Sequence, residues 1–310
     1  MLTSTRKVVI LGATGTIGSA VSYELRKRGY DVIVVSRNTE KARLSLPGMH
    51  EYVLLDFSNP SPLQLALENA VGVINLSGEP LLGNPFSKKH KKLVYSSRVQ
   101  VTEQLVVLLK GVTQKPAVFI NGSAIGFYGF HTITDQEYAE DSPPSTEYQG
   151  FLTKKWEDAA EAAQRLRIRV VCIRTGIVLD LAQNGALKKL LLPFYWYLGG
   201  YIGIANSWRS WIHLDDEVGI ILHALTNSSV VGGINATAPH PVTNREFAKC
   251  IGKALNKPSA IPVPEIFVRI IFGELAEVIT RGKKVLPAKA LSTEYQFKYP
   301  TLSEALKNLL

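Results

Sequence analysis

The chain alternates short apolar runs with segments in which apolar residues recur at helical spacing. Six runs have the continuous apolar pattern of strands buried on both faces, namely 8–11, 31–35, 51–55, 71–76, 117–120 and 169–173. Segments with helical spacing lie between them, at 17–25, 39–46, 62–70, 87–110 and 146–165. Because strands that are separated by helices build parallel sheets, we predict an α/β fold with a doubly wound parallel sheet of the Rossmann type.

The pattern becomes less regular in the second half of the chain. From residue 235 onward, short helical segments are divided by prolines. Asp215 and Asp216 precede an apolar helical segment at 218–225, which favours N-capping for one of them. We predict a Rossmann domain over residues 1–234, with some substrate-side segments at about 180–215, and a smaller C-terminal lobe on the substrate side over residues 235–310.

The first strand ends on a glycine, and two more glycines follow at three-residue spacing. Such a turn needs one glycine to turn the chain, another to let the backbone approach a pyrophosphate, and a last one for close helix–strand packing. The spacing is GxxGxxG rather than GxGxxG, so a glycine-rich turn without a ligand is the alternative. We predict that the helix N-terminus faces a dinucleotide pyrophosphate, with the binding residues Gly12, Thr14, Gly15, Thr16, Ile17 and Gly18.

The second strand ends on Ser36 and Arg37. An acidic residue at this position would bind the ribose hydroxyls of NAD, whereas an arginine suits the 2′-phosphate of NADP. Ser36 can add a hydrogen bond to the same phosphate. The pair predicts NADP(H) as the cofactor, and an ordinary solvated loop arginine is the alternative for Arg37.

The ends of the third and fourth strands supply further cofactor candidates. Asp56 can accept a hydrogen bond from the adenine amino group, although a helix N-cap role fits it equally. The fourth strand runs into small residues placed where a cofactor backbone would pass. These candidates are Leu76, Ser77, Gly78 and Glu79.

A serine follows the fifth strand, and aromatic and charged residues cluster near residue 210. Ser123 is well placed to face a substrate at the nicotinamide, and a turn or capping serine is its alternative. Arg209 suits a phosphate or carboxylate of the substrate, and Trp211 is a second substrate-side candidate. Core packing is the alternative for the tryptophan.

Composition indicates a globular protein with anionic ligands. Hydrophobic residues make up 46% of the 310 positions and charged residues 20%, with 35 basic against 26 acidic side chains. The formal charge of +9 favours phosphate-containing ligands without requiring nucleic acid. The basic run at 88–92 lacks interleaved aromatic residues, so we interpret it as a solvated helix face and expect no nucleic-acid partner.

The two cysteines, Cys172 and Cys250, lie in apolar stretches and lack metal-ligand spacing. We expect a reduced, cytoplasmic setting, no metal and no disulfide framework. The first strand begins too early for a signal peptide, and no apolar run is long enough to span a membrane. The oligomeric state is left open.

These motifs together resemble an atypical member of the extended short-chain dehydrogenase/reductase superfamily. The likeness is to the NAD-dependent epimerase/dehydratase-like, or sugar-nucleotide epimerase-like, group that is sometimes labelled cell-division-inhibitor-like. The likeness runs from about residue 7 to residue 309, and it includes the C-terminal domain that is characteristic of this group. The motifs that carry it are GATGTIG, VSRN, VINLSGEP, SRV (97–99), GSAIGFYG, KWE (155–157), RTGIVL, LLPF, LGGYIG, SWIHLDD, NATAPHPVTNREF, FGE (272–274), VLPAKAL and FKYP.

The resemblance implies a Rossmann domain that binds NADP(H), with Glu79 where family members contact the cofactor. One departure concerns catalysis. Short-chain dehydrogenases use YxxxK on the helix after the fifth strand, since positions i and i+4 share a face and the lysine lowers the tyrosine pKa. Here the residue four positions after Tyr148 is Leu152 rather than a lysine, so the pair is missing. Tyr128 is a substitute candidate for the proton transfer.

Two functions therefore stay open. The first is an NADP(H)-dependent oxidoreductase or epimerase that acts on a small polar or nucleotide-linked substrate, with Ser123 on the reacting oxygen and Tyr128 or a bound water at the proton. The second is a catalytically impaired NADP(H)-binding sensor or regulatory protein, which the missing YxxxK pair supports.

Overall fold

The computed structural model describes residues 6–80, 88–130, 135–181, 186–272, 276 and 280–310. Its strands are β1 (Lys7–Leu11), β2 (Asp31–Ser36), β3 (Glu51–Leu54), β4 (Gly72–Asn75), β5 (Val118–Ala124), β6 (Glu137–Tyr138), β7 (Arg169–Thr175), β8 (Ile177–Leu179), β9 (Trp208–Arg209), β10 (Trp211–His213), β11 (Gly232–Ala236), β12 (Val242–Thr243) and β13 (Lys284–Val285).

The helices of the described residues follow in the same chain order. They are α1 (Thr16–Lys27), α2 (Thr39–Ser45), α3 (Ser61–Leu67), α4 (Lys88–Tyr95), α5 (Val101–Lys110), α6 (Tyr148–Glu161), α7 (Ala186–Tyr195), α8 (Leu214–Thr226), α9 (Asn244–Leu255), α10 (Glu265–Phe272), α11 (Ala288–Ser292) and α12 (Leu302–Leu309). Short 3₁₀ segments at Ile125–Tyr128 and Ala162–Leu166 complete them.

Seven strands form one parallel sheet in the order β3-β2-β1-β4-β5-β7-β11. The chain runs outward from β1 to β3 on one side and then returns to β4 on the other side of β1. The strand order therefore reverses between β1 and β4, which is where doubly wound sheets bind ligands beyond the carboxyl ends of their strands. The predicted Rossmann fold is confirmed.

The inner strands of this sheet are buried on both faces, which explains their continuous apolar runs. The edge strand β3 leaves Glu51 and Leu54 exposed. Val8 and Ile10 belong to one hydrophobic core, with residues of α1 and α8. Val9 and Leu11 point the other way into a second core, with residues of α3 and α5. Because side chains alternate across a strand, helices must cover both faces of the sheet.

The helix predicted over 87–110 is present, except that residue 87 lies outside the described residues. It is not uniform, since α4 passes into a π-helical turn at Ser96–Gln100 before α5 continues it. Such wide turns inside α-helices are frequent at functional sites. This one lies beside the loop that follows β4.

A third core joins the substrate-side segments to the C-terminal helices. Its members come from β8, β10, α7, α9 and α12, with the fully buried Trp211 among them. The predicted boundary after residue 234 falls inside β11, a strand of the main sheet. The division into domains at that residue stays a prediction.

The N-cap role predicted for Asp215 or Asp216 is wrong. Helix α8 starts earlier, at Leu214, and His213 is its N-cap, with Nδ1 accepting from the N–H of Asp215 at 3.0 Å. Asp216 instead accepts hydrogen bonds from the backbone N–H groups of Lys298 and Tyr299, at 2.8 and 2.9 Å. Its carboxylate fastens the C-terminal segment to α8.

Cys172 in β7 and Cys250 in α9 are both free. Burial raises the pKa of the Cys172 thiol well above its usual value, so that cysteine is an inert core residue. In the part of the chain that the structure describes, no helix has the length and apolar character needed to cross a bilayer.

Candidate functional site

A cavity of about 450 Å³ opens at the carboxyl edge of the sheet. Its walls come from the glycine turn after β1, from the loop after β5 and from one face of α6. Residues 281–283 of the C-terminal segment complete it. The cavity therefore lies at the reversal of strand order, where the fold places its ligands.

The three positions of the turn are occupied by glycine for different structural reasons. Gly12 has φ +76°, and a Cβ there would lie 2.5 Å from the carbonyl carbon of Leu76. A Cβ on Gly18 would lie 2.2 Å from the carbonyl oxygen of Gly12. A Cβ on Gly15 would meet only that same oxygen, at 3.4 Å, and Gly15 lines the cavity. Packing explains the first and third glycines, whereas the second leaves open space for a ligand.

Helix α1 begins at this open glycine. No side chain caps its N-terminus, and its first turn carries no acidic residue. Thr16, Ile17 and Gly18 line the cavity, and Thr14 is exposed in the same turn. The unsatisfied N–H groups and the positive end of the helix dipole suit an anion here.

The two residues that end β2 lie outside the cavity lining. Arg37 is exposed and makes no hydrogen bond or ion pair to the described residues. The Ser36 hydroxyl accepts from the N–H of Asn38 at 3.2 Å and donates to its carbonyl at 3.1 Å. Asn38 in turn caps α2. The arginine is thus available to a ligand, and the serine sits at a second helix N-terminus.

Asp56 does not cap a helix, so that alternative is wrong. Helix α3 starts at Ser61, and its N-cap, Pro60, has no side-chain hydrogen bond to give. The Asp56 carboxylate accepts from the N–H and hydroxyl of Ser58, at 2.8 and 2.6 Å, which lowers its pKa. The adenine contact stays a prediction.

The loop after β4 is tied to the π-helical turn. Leu76 lines the cavity, and the backbone of Glu79 donates to the Ser97 hydroxyl at 2.9 Å and accepts from Arg98 Nη1 at 2.8 Å. A Cβ on Gly78 would lie 3.1 Å from the Arg98 guanidinium carbon. Arg98 thus contacts this loop and also lines the cavity. The cofactor roles of residues 76–79 stay predictions.

Ser123 lines the cavity, and a buried polar network fixes its hydroxyl. The predicted contact with a substrate at the nicotinamide stays a prediction. Ser123 Oγ donates to Glu157 Oε1 at 2.6 Å. Arg174 grips the same carboxylate with Nε and Nη2, both at 2.9 Å. Burial alone would lower the pKa of Arg174, but the hydrogen bonds and charge of Glu157 raise it above its usual value. Because the hydroxyl hydrogen points at Glu157, Ser123 offers lone pairs to the cavity.

Tyr128 belongs to the same network and is not brought to the cavity. Its phenol donates to Asn235 Oδ1 at 2.7 Å and accepts from Arg174 Nη1 at 2.8 Å. Only 2% of the residue is exposed, and burial raises its pKa to about 12. The phenol is therefore buried outside the described cavity lining, and its role in proton transfer stays an untested prediction.

Arg209 and Trp211 also face away from the cavity, which Trp208 and Ser210 line instead. Side chains two residues apart share a face of an extended chain, so Arg209 and Trp211 lie on the face opposite to the one that lines the cavity. Trp211 is fully buried and donates from Nε1 to the carbonyl of His240 at 3.2 Å. Arg209 donates to the side chain of Asn244, and burial lowers its pKa to about 10. The structure brings neither residue to the cavity lining, and their substrate contacts stay predictions.

Helix α6 presents Tyr148, Leu152 and Trp156 to the cavity at four-residue spacing. Neither lysine of that helix joins them. Lys154 pairs with Asp158, and Lys155 is exposed, with Nζ 5.9 Å from the ring centre of Phe151. Tyr148 thus lies at the cavity with a leucine, not a lysine, four residues later on the same helix.

The cavity wall is strongly cationic. Lys91, Arg98, Arg281 and Lys283 line it together with His90, and no aspartate or glutamate occurs among the described lining residues. The run at 88–92 therefore contributes to the cavity and is not only a solvated face. Arg281 and Lys283 are missed by the sequence predictions, because no local pattern distinguishes them from other basic residues.

The sequence predictions also miss Glu157 and Arg174, although their positions indicate that each needs a buried partner. A glutamate on the buried face of α6 and an arginine inside a buried strand must each have a partner. No group of three His, Cys, Asp or Glu residues that could hold a metal ion occurs among the residues the structure describes.

Comparison with family models gives two matches. Residues 8–179 match the NAD dependent epimerase/dehydratase family. Residues 263–309 match a domain of unknown function, DUF1731. The second match includes Arg281 and Lys283.

Individual relatives match along nearly the whole chain. The mouse epimerase family protein SDR39U1 is 37% identical over 309 residues, 98% of this chain and 99% of its own. Its chloroplastic homologue from Arabidopsis thaliana is 33% identical, over 98% of this chain and 86% of its own. Human SDR39U1, whose crystal structure was solved with NADPH, superposes with a TM-score of 0.85 at 34% identity and 98% coverage of both chains.

Proposed function

The chain belongs to the NAD dependent epimerase/dehydratase family, and we propose that it is an NADP(H)-dependent oxidoreductase or epimerase of the extended short-chain dehydrogenase/reductase type. The substrate is a small polar or nucleotide-linked molecule. The glycine turn carries the cofactor half of the proposal. Gly15 is the glycine that packing does not require, and it borders the cavity at an uncapped helix N-terminus.

The end of β2 supports NADP(H) over NAD(H). No acidic residue stands there to accept from ribose hydroxyls, and exposed Arg37 is available for a 2′-phosphate. Ser36 and the N-terminus of α2 lie beside it. The human relative's crystal structure with NADPH supports the same choice.

The nicotinamide, when bound, exchanges a hydride with the substrate. The Ser123 oxygen would accept a hydrogen bond from the reacting hydroxyl, because its own hydrogen is committed to Glu157. Glu157 and Arg174 are positioning residues. Tyr148 is the phenol at the cavity, with Lys91 Nζ 5.5 Å from its ring centre, and we propose it in place of Tyr128 as the group that handles the proton.

One observation supports the second function, a catalytically impaired NADP(H)-binding sensor or regulatory protein. Helix α6 brings no lysine to the cavity beside Tyr148, so the group that lowers the tyrosine pKa in short-chain dehydrogenases is missing. A sensor or regulatory protein would bind NADPH tightly without oxidising it. The absorbance of the reduced nicotinamide, followed with a panel of carbonyl substrates, separates the two functions.

The cofactor proposal is tested by calorimetric titration with NADPH and NADH. We expect Arg37→Ala to weaken NADPH binding by about tenfold or more, since a charge-assisted phosphate contact is lost, and to leave NADH binding unchanged. Arg165→Ala is the matched control, because Arg165 is also exposed but precedes β7, on the other side of β1 in the sheet. Equal affinity for both cofactors, or no binding, contradicts the proposal.

We also propose a cytoplasmic location. The two unpaired cysteines are compatible with a reducing compartment. Fractionation of cells that express the tagged protein tests this.

A further inference from the structure

Lys283 is a buried cation that has no counter-ion among the described residues. Only 4% of the residue is exposed, and it lines the cavity. Its ammonium donates to the Tyr138 hydroxyl at 3.3 Å and lies 5.1 Å from the centre of that ring. No carboxylate of the described residues pairs with it. A buried ammonium is costly unless an anion compensates it, and a phenol oxygen is a weak substitute.

Arg281 lines the same wall two residues earlier and is only partly satisfied. Its Nη2 donates to Glu265 Oε1 at 3.1 Å, whereas its Nε is buried without a hydrogen-bond partner among the described residues. Between them Gly282 packs closely on the backbone of Trp208, since a Cβ there would lie 2.3 Å from the carbonyl oxygen of Trp208. The cavity thus contains an unpaired ammonium and an unused guanidinium donor within three residues.

We propose that Arg281 and Lys283 form an anion subsite that binds a carboxylate or phosphate group of the substrate. The inference deepens the proposed function and rests on it. The cofactor phosphates already have their places, at the glycine turn and at the end of β2, and both places belong to the main sheet. The cations of the C-terminal segment are left for the second ligand, so the substrate carries a negative charge.

Such an anion would meet no carboxylate on the described cavity wall, because aspartate and glutamate are missing from that lining. A purely structural Lys283 would instead stabilise the fold through Tyr138. The two roles differ in their effect on the ligand-free protein. Removing an uncompensated charge raises stability, whereas removing a structural contact lowers it.

The test uses the full chain, with and without saturating NADPH. Calorimetry at constant ionic strength measures binding of inorganic phosphate, pyrophosphate, acetate and malonate, with malonamide as the uncharged comparison. The phosphate and carboxylate arms identify which anion the subsite accepts. Lys283→Met and Arg281→Gln remove the donors, Lys283→Arg keeps the charge, and Lys284→Met is the matched control. Lys284 adjoins the site in sequence but pairs with Glu137 at 2.8 Å.

We expect saturable binding of at least one anion, weakened about tenfold or more in Lys283→Met and retained in Lys283→Arg and Lys284→Met. Ligand-free Lys283→Met should also melt above the wild type. Equal anion affinity in wild type and Lys283→Met overturns the subsite, as does saturable binding of none of the four anions. A failure of NADPH to bind contradicts the proposed function instead, and the cofactor-free titrations then decide the subsite alone.

Discussion

Ser123 donates its hydroxyl hydrogen to Glu157 across 2.6 Å, and neither side chain is more than 5% exposed. The carboxylate is shared with Arg174, whose guanidinium also lies 3.6 Å from the ring centre of Phe127. A buried charge pair therefore lies directly behind the serine that borders the cavity. It fixes which atom of that serine faces a ligand.

The first prediction concerns that pair. Glu157→Ala leaves Arg174 as an uncompensated buried charge, and we expect a loss of about 3–5 kcal/mol in the free energy of unfolding. Asp158→Ala is the control on the same helix, because Asp158 pairs with Lys154 in a half-exposed position, where a loss of about 0–1 kcal/mol is expected. Urea denaturation measures both, and equal losses would contradict the prediction.

The second prediction separates two tyrosines. Tyr128→Phe removes the donor to Asn235 Oδ1 and one acceptor of Arg174 Nη1, so we expect it to destabilise the fold by about 1–3 kcal/mol. Tyr148 is 44% exposed at the cavity, so Tyr148→Phe should leave stability nearly unchanged.

Turnover gives the complementary result. If NADPH is oxidised by a substrate, Tyr148→Phe should lower kcat by about a hundredfold or more, the range for loss of a general acid or base. Tyr128→Phe should change kcat little at a temperature where it is folded. The reverse pattern would return Tyr128 to the proton-transfer role.

What the sequence predicts correctly is local. The GxxGxxG turn is readable because the strand, the turn and the helix follow one another within a short segment. Ser123 is readable because it ends a strand. The pairing of Glu157 with Arg174 is not, because a helix and a strand must first pack before the charges meet.

The sequence does not show which residues near position 210 reach the cavity. Arg209 and Trp211 are proposed for the substrate from their chemistry and from the cluster of aromatic and charged residues there, yet a two-residue period decides which side of the extended segment faces the cavity. The period places Trp208 and Ser210 there. Nothing in the sequence shows whether the odd or the even positions face the cavity. The sequence does not single out Lys283 either, because its importance lies in the lack of a charged partner in the fold.

The third prediction concerns the glycine turn. Gly15→Ala meets no atom closer than 3.4 Å and has a φ of −77°, which any residue adopts. We expect its stability to change by no more than about 0.5 kcal/mol, while NADPH binding weakens about tenfold or more because a methyl group fills the pyrophosphate approach.

Gly18→Ala is the comparison for this effect. A Cβ there meets backbone at 2.2 Å, so we expect it to destabilise the fold by about 1–3 kcal/mol through overpacking. Thermal unfolding and NADPH titration of both variants check the pair. A Gly15→Ala protein that binds NADPH like the wild type would remove the observation on which the cofactor site depends.

The last prediction concerns Glu217, which is completely buried in the first turn of α8. Its Oε1 accepts from the Thr175 hydroxyl at 2.7 Å, its Oε2 has no partner among the described residues, and burial raises its pKa to about 8. Because the folded-state pKa exceeds the unfolded value, the group stabilises the fold at low pH and loses that contribution as the pH rises through 8.

Between about pH 4.5 and 8, this carboxyl should lower stability by up to about 1.4 kcal/mol for each pH unit. Glu217→Gln keeps the shape without the titration, so its stability should vary less with pH, and at pH 8 the variant should be the more stable protein. Asp215→Asn is the control, because Asp215 is exposed in the same helical turn beside Lys298. Urea denaturation at pH 5, 6.5 and 8 measures the three proteins. If wild type and Glu217→Gln lose stability in parallel, the Glu217 carboxyl is ionised in the folded protein near neutral pH.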